Sequence, residues 1–341
     1  MNFNKIIIWG HKLHSHTHSY IHNAFYLAFK HLGYNVLWLD DNDNIENIDF
    51  ENVLFLTEHQ VCKNIPIKFD CKYILHNSFI DPGKTYYKTN AGTWRKKDIK
   101  FKKLAENGNI INIQVYKTKF VENKTKLEDY VYYDLNTFTL YFPWATDLLP
   151  DQINKIKKNI RNNSPRHIGL PDIGLPDIGL PDKSKIEYLV GTIVDEWKPF
   201  QIACIKNKIN FVHMGGYNGL KKVSIKENIS LIQKSYIAPA IQRKSQCHEG
   251  YIPCRIFKNI SYGKMGFTNS LVVYELFNKK IIYNPCTTGL FYDASFWIEN
   301  KYDIKKIHEV MDFVRDKHTY LNRIDNLFTF FEIITRKIPF K

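Results

Sequence analysis

The chain opens on a short apolar run, Lys5–Trp9, then a polar, histidine-rich loop, then apolar residues at Ile21, Ala24, Phe25, Ala28, Phe29 and Leu32. Spacings of three and four are helical, so a helix is predicted over Tyr20–Leu32, with Gly33 as its stop. A second apolar run, Asn35–Leu39, ends at Asp40–Asp41. Strand, helix and strand in that order make a right-handed crossover between parallel strands. Further β runs at Asn52–Leu56, Lys72–Leu75 and Asn109–Tyr116 extend this to a mostly parallel α/β domain. The same grammar resumes in the second half. Ile186–Val190, Asn210–Met214, Tyr236–Ala240, Met265–Phe267 and Lys280–Tyr283 read as strands. Trp197–Ile205, Glu227–Lys234, Ile252–Tyr262 and Asn269–Phe277 read as helices, and from Ile304 the pattern is helical almost to the end.

Between the halves, residues 151–167 are basic and polar, and three copies of IGLPD fill 168–182. Each copy carries Gly and Pro, which stop helix and strand alike, so the stretch reads as a linker. The expected organisation is an N-terminal Rossmann-like α/β domain (1–150), a linker (151–185), a C-terminal Rossmann-like α/β domain (186–320) and a closing helix (321–341). A ligand cleft is expected between the two domains. Deleting two of the three IGLPD units should leave folding and activity near the parent's, because loop closure changes by only about 0.6 kcal/mol per doubling of length. A melting curve checks this; failure to fold would mean that the repeats pack as structure.

Composition narrows the class. The 341 residues suit two domains, and 44% hydrophobic with 24% charged residues excludes disorder over most of the chain. Lys and Arg number 48 against 34 Asp and Glu, a net +14 that favours polyanions such as nucleotide phosphates, nucleic acid or acidic membrane surfaces. The excess is mostly Lys scattered among Asn and Ile, the bias of an AT-rich viral or bacterial genome, and no nucleic-acid-binding motif accompanies it. No apolar run approaches the roughly 18 residues of a membrane span. Cys62, Cys71, Cys204, Cys247, Cys254 and Cys286 form no C-x-x-C pair, as expected of reduced thiols in a cytoplasmic protein.

Ligands of open parallel sheets bind beyond the carboxyl ends of the strands. In the first half that edge collects His11, His14, His16, His18, Glu58, His59, His76 and Asn77. Imidazoles titrating near neutrality suit acid–base chemistry at an acceptor. His16-x-His18 after a first strand also matches a metal motif of hydrolase barrels, but no second H-x-H follows. A polar loop capping the next helix is the third reading. In the second half the strand ends carry His213–Gly219, with Gly215 and Gly216, and the stretch from Glu249. There Gly250 leads into a helix start, where backbone N–H groups favour an anion, and Arg255 and Lys258 share a helical face.

The stretch HEGYIPCRIFKNISYGKMGFTNS resembles the donor-binding segment of GT-B glycosyltransferases, most closely the CgeB-type spore-maturation relatives of retaining family 4. Glu249, Gly250, Pro253, Arg255, Phe257, Gly263, Thr268 and Asn269 fall in step with that family's pattern, and Asp316–Leu327 resembles its closing H-T-Y-x-x-R helix. Tyr141–Asp151 and the N-terminal WGHKLHSHTHSYIH are similar to viral and marine bacterial glycosyltransferase-like proteins. The resemblance implies a GT-B fold whose C-terminal domain binds a UDP- or GDP-sugar and whose N-terminal domain binds a glycan or other hydroxyl acceptor. It implies a contact from Arg255 to donor phosphate and sets Glu249 near the sugar; together with the strand-end reading, the expected donor-binding residues are Gly215, Gly216, Glu249, Arg255, Lys258, Asn269, Ser270 and Glu275. The family's second acid, which holds the ribose, falls at Lys258 here, and Glu275 is the nearest later acid on a helix. GT-B chemistry needs no bound metal or tightly bound cofactor. His16, His18 and Glu58 are the candidate catalytic residues. A non-catalytic carbohydrate- or nucleic-acid-binding protein and a metal-dependent hydrolase using the histidine loop are the alternatives.

Overall fold

The computed structural model describes residues 2–12, 17–58, 65–76, 108–117, 124–161, 185–215 and 223–337; the IGLPD repeats lie outside them. Among the described residues the chain is a mixed α/β protein with twelve strands and ten helices. It divides into two compact units: Met1–His14, His18–Pro143 and Tyr320–Lys341 in one, Ser15–Thr17 and Trp144–Thr319 in the other. Among the described residues no helix is long and apolar enough to cross a membrane.

The first unit is built on an eight-stranded sheet. Its strands are β1 (Lys5–Trp9), β2 (Val36–Leu39), β3 (Val53–Glu58), β4 (Lys72–His76), β5 (Ile110–Gln114), β6 (Thr125–Glu128), β7 (Val131–Asp134) and β8 (Thr139–Tyr141), in the order β2-β1-β3-β4-β5-β8-β7-β6. From β2 to β8 neighbours run parallel; β8, β7 and β6 pair antiparallel. The central strands are apolar almost throughout, as strands covered on both faces must be. Alternate residues Ile7, Trp9, Val53, Phe55, Tyr73 and Leu75 form one buried cluster, in which the Phe55 and Tyr73 rings stack at 5.0 Å. Helix α1 (Thr17–His31) and the C-terminal helix Tyr320–Lys337 make a second layer, with Phe25 against Tyr320 at 4.5 Å and Phe29 against Phe328 at 6.1 Å. The antiparallel strands β6 to β8 are an addition to the parallel domain expected from sequence.

The second unit has the parallel pairs β9 (Ile186–Val190) with β10 (Asn210–Met214), and β11 (Phe267–Thr268) with β12 (Ile282–Tyr283). Its helices are α2 (Pro150–Arg161), α3 (Trp197–Lys206), α4 (Ile225–Lys234), α5 (Lys244–His248), α6 (Cys254–Ser261), α7 (Leu271–Leu276), α8 (Thr287–Asn300) and α9 (Ile304–Lys317). Residues 151–161, read as the polar start of a linker, belong with Pro150 to helix α2. Pro150 suits the first helical turn, Ile153 is buried, and Ile156 and Ile160 lie against Gly263, whose φ of +97° admits no ordinary side chain. Lys157 and Asp312 on α9 fasten the polar side at 2.6 Å.

Tyr236–Ala240, expected as a strand, is not one. The Tyr236 N–H bonds to the Ile186 carbonyl at 2.8 Å, as a strand residue would. The next two N–H groups, of Ile237 and Ala238, donate instead to the buried carboxylate of Glu187 at 2.7 and 2.9 Å. Ala238 then turns the chain at φ +61°, and Ala240 makes a single bridge to Thr268. The final helical stretch is likewise broken, at His318–Thr319, where φ of −133° takes His318 out of the helix.

Candidate functional site

Two clusters of chemistry-bearing residues stand at carboxyl strand ends, one in each unit. In the first unit, β1, β3 and β4 are neighbours, so Gly10–His11, Glu58 and His76 follow one another along the edge, with Glu58 and His76 register partners. Helix α1 begins over this edge and adds His18 and His22, four residues apart and hence on one helical face. His11 Nε2 lies 2.5 Å and His18 Nδ1 3.0 Å from the same oxygen, Glu58 Oε2. His22 donates from Nδ1 to the Gly10 carbonyl at 2.8 Å, so its Nε2 accepts from His76 Nε2–H at 2.7 Å. Ser19 Oγ donates to the His11 carbonyl at 2.8 Å. His11 itself sits at φ +62°, a left-handed conformation that a non-glycine residue holds only when its surroundings enforce it.

His11, His22, Glu58 and His76 are buried, while the His18 side chain keeps 21% of its surface exposed and is the member open to a ligand. Burial, reinforced by His11, pushes His22 down to about 3, and burial likewise drives His76 well below the usual imidazole range. Both are neutral at physiological pH. Burial works to raise Glu58, but hydrogen bonds from His11 and His18 outweigh it and hold the carboxyl well below the ordinary carboxylate range. Of the residues expected here, His11, His18, Glu58 and His76 are brought together; His14, His16, His59 and Asn77 lie outside the described residues. His22 was not anticipated, although its spacing from His18 was a usable signal.

In the second unit, β9 and β10 end side by side at Gly191 and Gly215, with the Gly191 N–H bonded to the Met214 carbonyl at 2.8 Å. Both glycines have positive φ. The Arg255 guanidinium, from the first turn of α6, reaches this end: Nη2 is 3.4 Å from the Val190 carbonyl, and a Cβ on Gly191 would come within 2.9 Å of it. The Trp197 ring supports its other side at 5.7 Å. His213 Nε2 donates to the Gly191 carbonyl at 2.6 Å. A cleft of about 600 Å³ opens along the loop leaving β9, between Ile193–Glu196, Lys198, Arg243 and Ser245, a volume suited to a small ligand.

The remaining expected donor residues take varied places. Glu249 is half-buried at the C-cap of α5, and Gly250 follows at φ +68°. Lys258 is buried and ion-paired to Asp147 at 3.6 Å, whose two oxygens also accept from the Tyr262 hydroxyl at 2.7 Å. Asn269 is buried and exchanges two hydrogen bonds with the Gln242 backbone at 2.9 Å each. Ser270 is the buried N-cap residue of α7, and Glu275 is exposed on that helix. Gly216 lies outside the described residues. Asp147, which sequence reasoning did not single out, braces α6, as does the 4.7 Å stack of His318 on Phe257.

No protein-family model matches the chain, and no curated protein matches it. Among solved structures it is similar to a glycosyltransferase from Rickettsia africae ESF-5, with a TM-score of 0.48 and 10% identity over 99% of this chain and 100% of that one. At that distance the chemistry of the two clusters has to carry any assignment.

Proposed function

We propose that the chain is a sugar-nucleotide-dependent glycosyltransferase of the GT-B type, its second unit handling the donor and its first the acceptor. The supporting observation is Arg255: a guanidinium held against paired glycines at the ends of two parallel strands, beside a helix start, suits a diphosphate. Charge that develops on the leaving diphosphate is met there by a fixed cation and backbone N–H groups rather than by reorganising water. The segment around it is the one that resembles the family's donor-binding stretch. On this reading Gly215 and Gly216 admit the phosphates close to the backbone, Glu249 attends the sugar, and Glu275 is the acid available to the ribose. Lys258, Asn269 and Ser270 complete the donor-binding set. His18 and Glu58, with His16, handle the hydroxyl of a glycan or similar acceptor. The donor is a UDP- or GDP-sugar met in the cytoplasm.

Arg255→Ala is expected to weaken UDP or GDP binding by about 1.5–3 kcal/mol, the worth of a lost charged hydrogen bond, with little change in the melting of the ligand-free protein. Calorimetric titration of parent and variant checks it, and equal affinities would remove Arg255 from the donor site. A metal-dependent hydrolase is the second reading, favoured by the convergence of His11, His18 and Glu58. Release of product to water by a protein that binds no nucleotide would select it.

A further inference from the structure

We infer that His11, His18 and Glu58 bind a divalent transition-metal ion of the zinc class, through His11 Nε2, His18 Nδ1 and a Glu58 carboxylate oxygen. The three ligand atoms lie within 4.8 Å of one another. Both imidazole nitrogens point at one carboxylate oxygen, at 2.5 and 3.0 Å. Tetrahedral ligands at about 2.0–2.1 Å from a metal stand roughly 3.3 Å apart, so admitting an ion requires those two edges to open by less than about 1 Å. Two imidazoles and a carboxylate are a donor set that favours zinc and its first-row neighbours over magnesium or calcium. Three protein ligands leave a fourth position for a water or an acceptor hydroxyl.

The surroundings are built to hold the ligands still. Ser19 binds the His11 carbonyl, and His22 binds the carbonyl of Gly10 just before it, so α1 fixes the backbone of one ligand while carrying another. His76 in turn fixes His22, and the His18 and His76 rings pack at 5.2 Å. Outer hydrogen bonds of this kind orient first ligands and stiffen metal sites. The left-handed backbone at His11 aims its ring at Glu58. An ion in this position would acidify a bound hydroxyl, whether an acceptor's or water's. Metal binding stands independently of sugar transfer, which is tested at Arg255 in the other unit.

The test uses the full chain, stripped with a chelator and titrated with zinc by calorimetry, with metal content measured after dialysis. One equivalent is expected to bind to the parent. His18→Ala and Glu58→Gln are each expected to weaken it at least tenfold, while His31→Ala, at an exposed position in the last turn of α1, leaves it unchanged. Circular dichroism of the metal-free variants establishes that they are folded. Should either fail to fold, cobalt substitution of the parent decides: intense visible ligand-field bands of a four-coordinate site support the proposal, and weak bands of a six-coordinate ion contradict it. No stoichiometric zinc in the parent, or zinc retained equally by His18→Ala and Glu58→Gln, overturns it.

Discussion

His18→Ala is expected to lower turnover by about 10²–10⁴-fold while leaving donor affinity, measured without acceptor, at the parental value. His18 is the member of its cluster with an exposed edge, and Glu58 holds its Nδ1 at 3.0 Å, so the imidazole meets an incoming hydroxyl in a set orientation. Donor affinity should not move because Arg255 and the paired glycines belong to the other unit. A rise in acceptor half-saturation with unchanged turnover would mean that His18 only contacts the acceptor. Chelation separates the two ways in which the cluster can work. An imidazole acting as base keeps its activity in chelator, whereas an ion held by His11, His18 and Glu58 is stripped and activity falls with it. Parental rates in His18→Ala would remove this cluster from the reaction.

Glu187→Ala should destabilise the second unit by about 2–6 kcal/mol, from two buried N–H donors left unsatisfied at about 1–3 kcal/mol each. Glu187 is fully buried on β9 and accepts from the Ile237 and Ala238 N–H groups. Burial pushes its carboxyl up, and burial pushes Lys264 down, each against the attraction of the other. Lys264 also donates to the Ser235 carbonyl. Removing the carboxylate strands two backbone donors and takes away the attraction that favours a charged Lys264. Urea denaturation followed in the tryptophan signal reads the loss. Glu187→Gln, which keeps an acceptor oxygen, should lose less, and Lys264→Met in the Glu187→Ala background should recover part of it. A parental midpoint for Glu187→Ala would mean that the 235–240 bend is held by other contacts.

That same carboxylate explains where sequence reading stopped. Lys5–Trp9, Ile186–Val190 and Asn210–Met214 were legible because buried parallel strands are short apolar runs with clear ends, and they form over those residues. Tyr236–Ala240 looks like another such run, but its N–H groups are taken by a side chain some 50 residues earlier. No local pattern carries that information. The α2 helix was hidden by its charge: its apolar side is just Ile153, Ile156 and Ile160, and the basic remainder read as linker. In the first unit the strand-end rule brought His11, Glu58 and His76 to one edge, and the order β1-β3-β4 makes them neighbours. Pairing His22 with His76, and Lys258 with Asp147, required the tertiary fold, since the partners are 54 and 111 residues apart.

Sugar-nucleotide binding is tested most directly by a thermal-unfolding series with UDP-, GDP-, ADP-, CMP- and TDP-sugars on the full chain. A UDP- or GDP-sugar is expected to raise stability by about 2.7 kcal/mol at a hundred times its dissociation constant, and Arg255→Ala to lose most of that gain. A flat series, in which no nucleotide sugar shifts the transition of the parent, would contradict that binding.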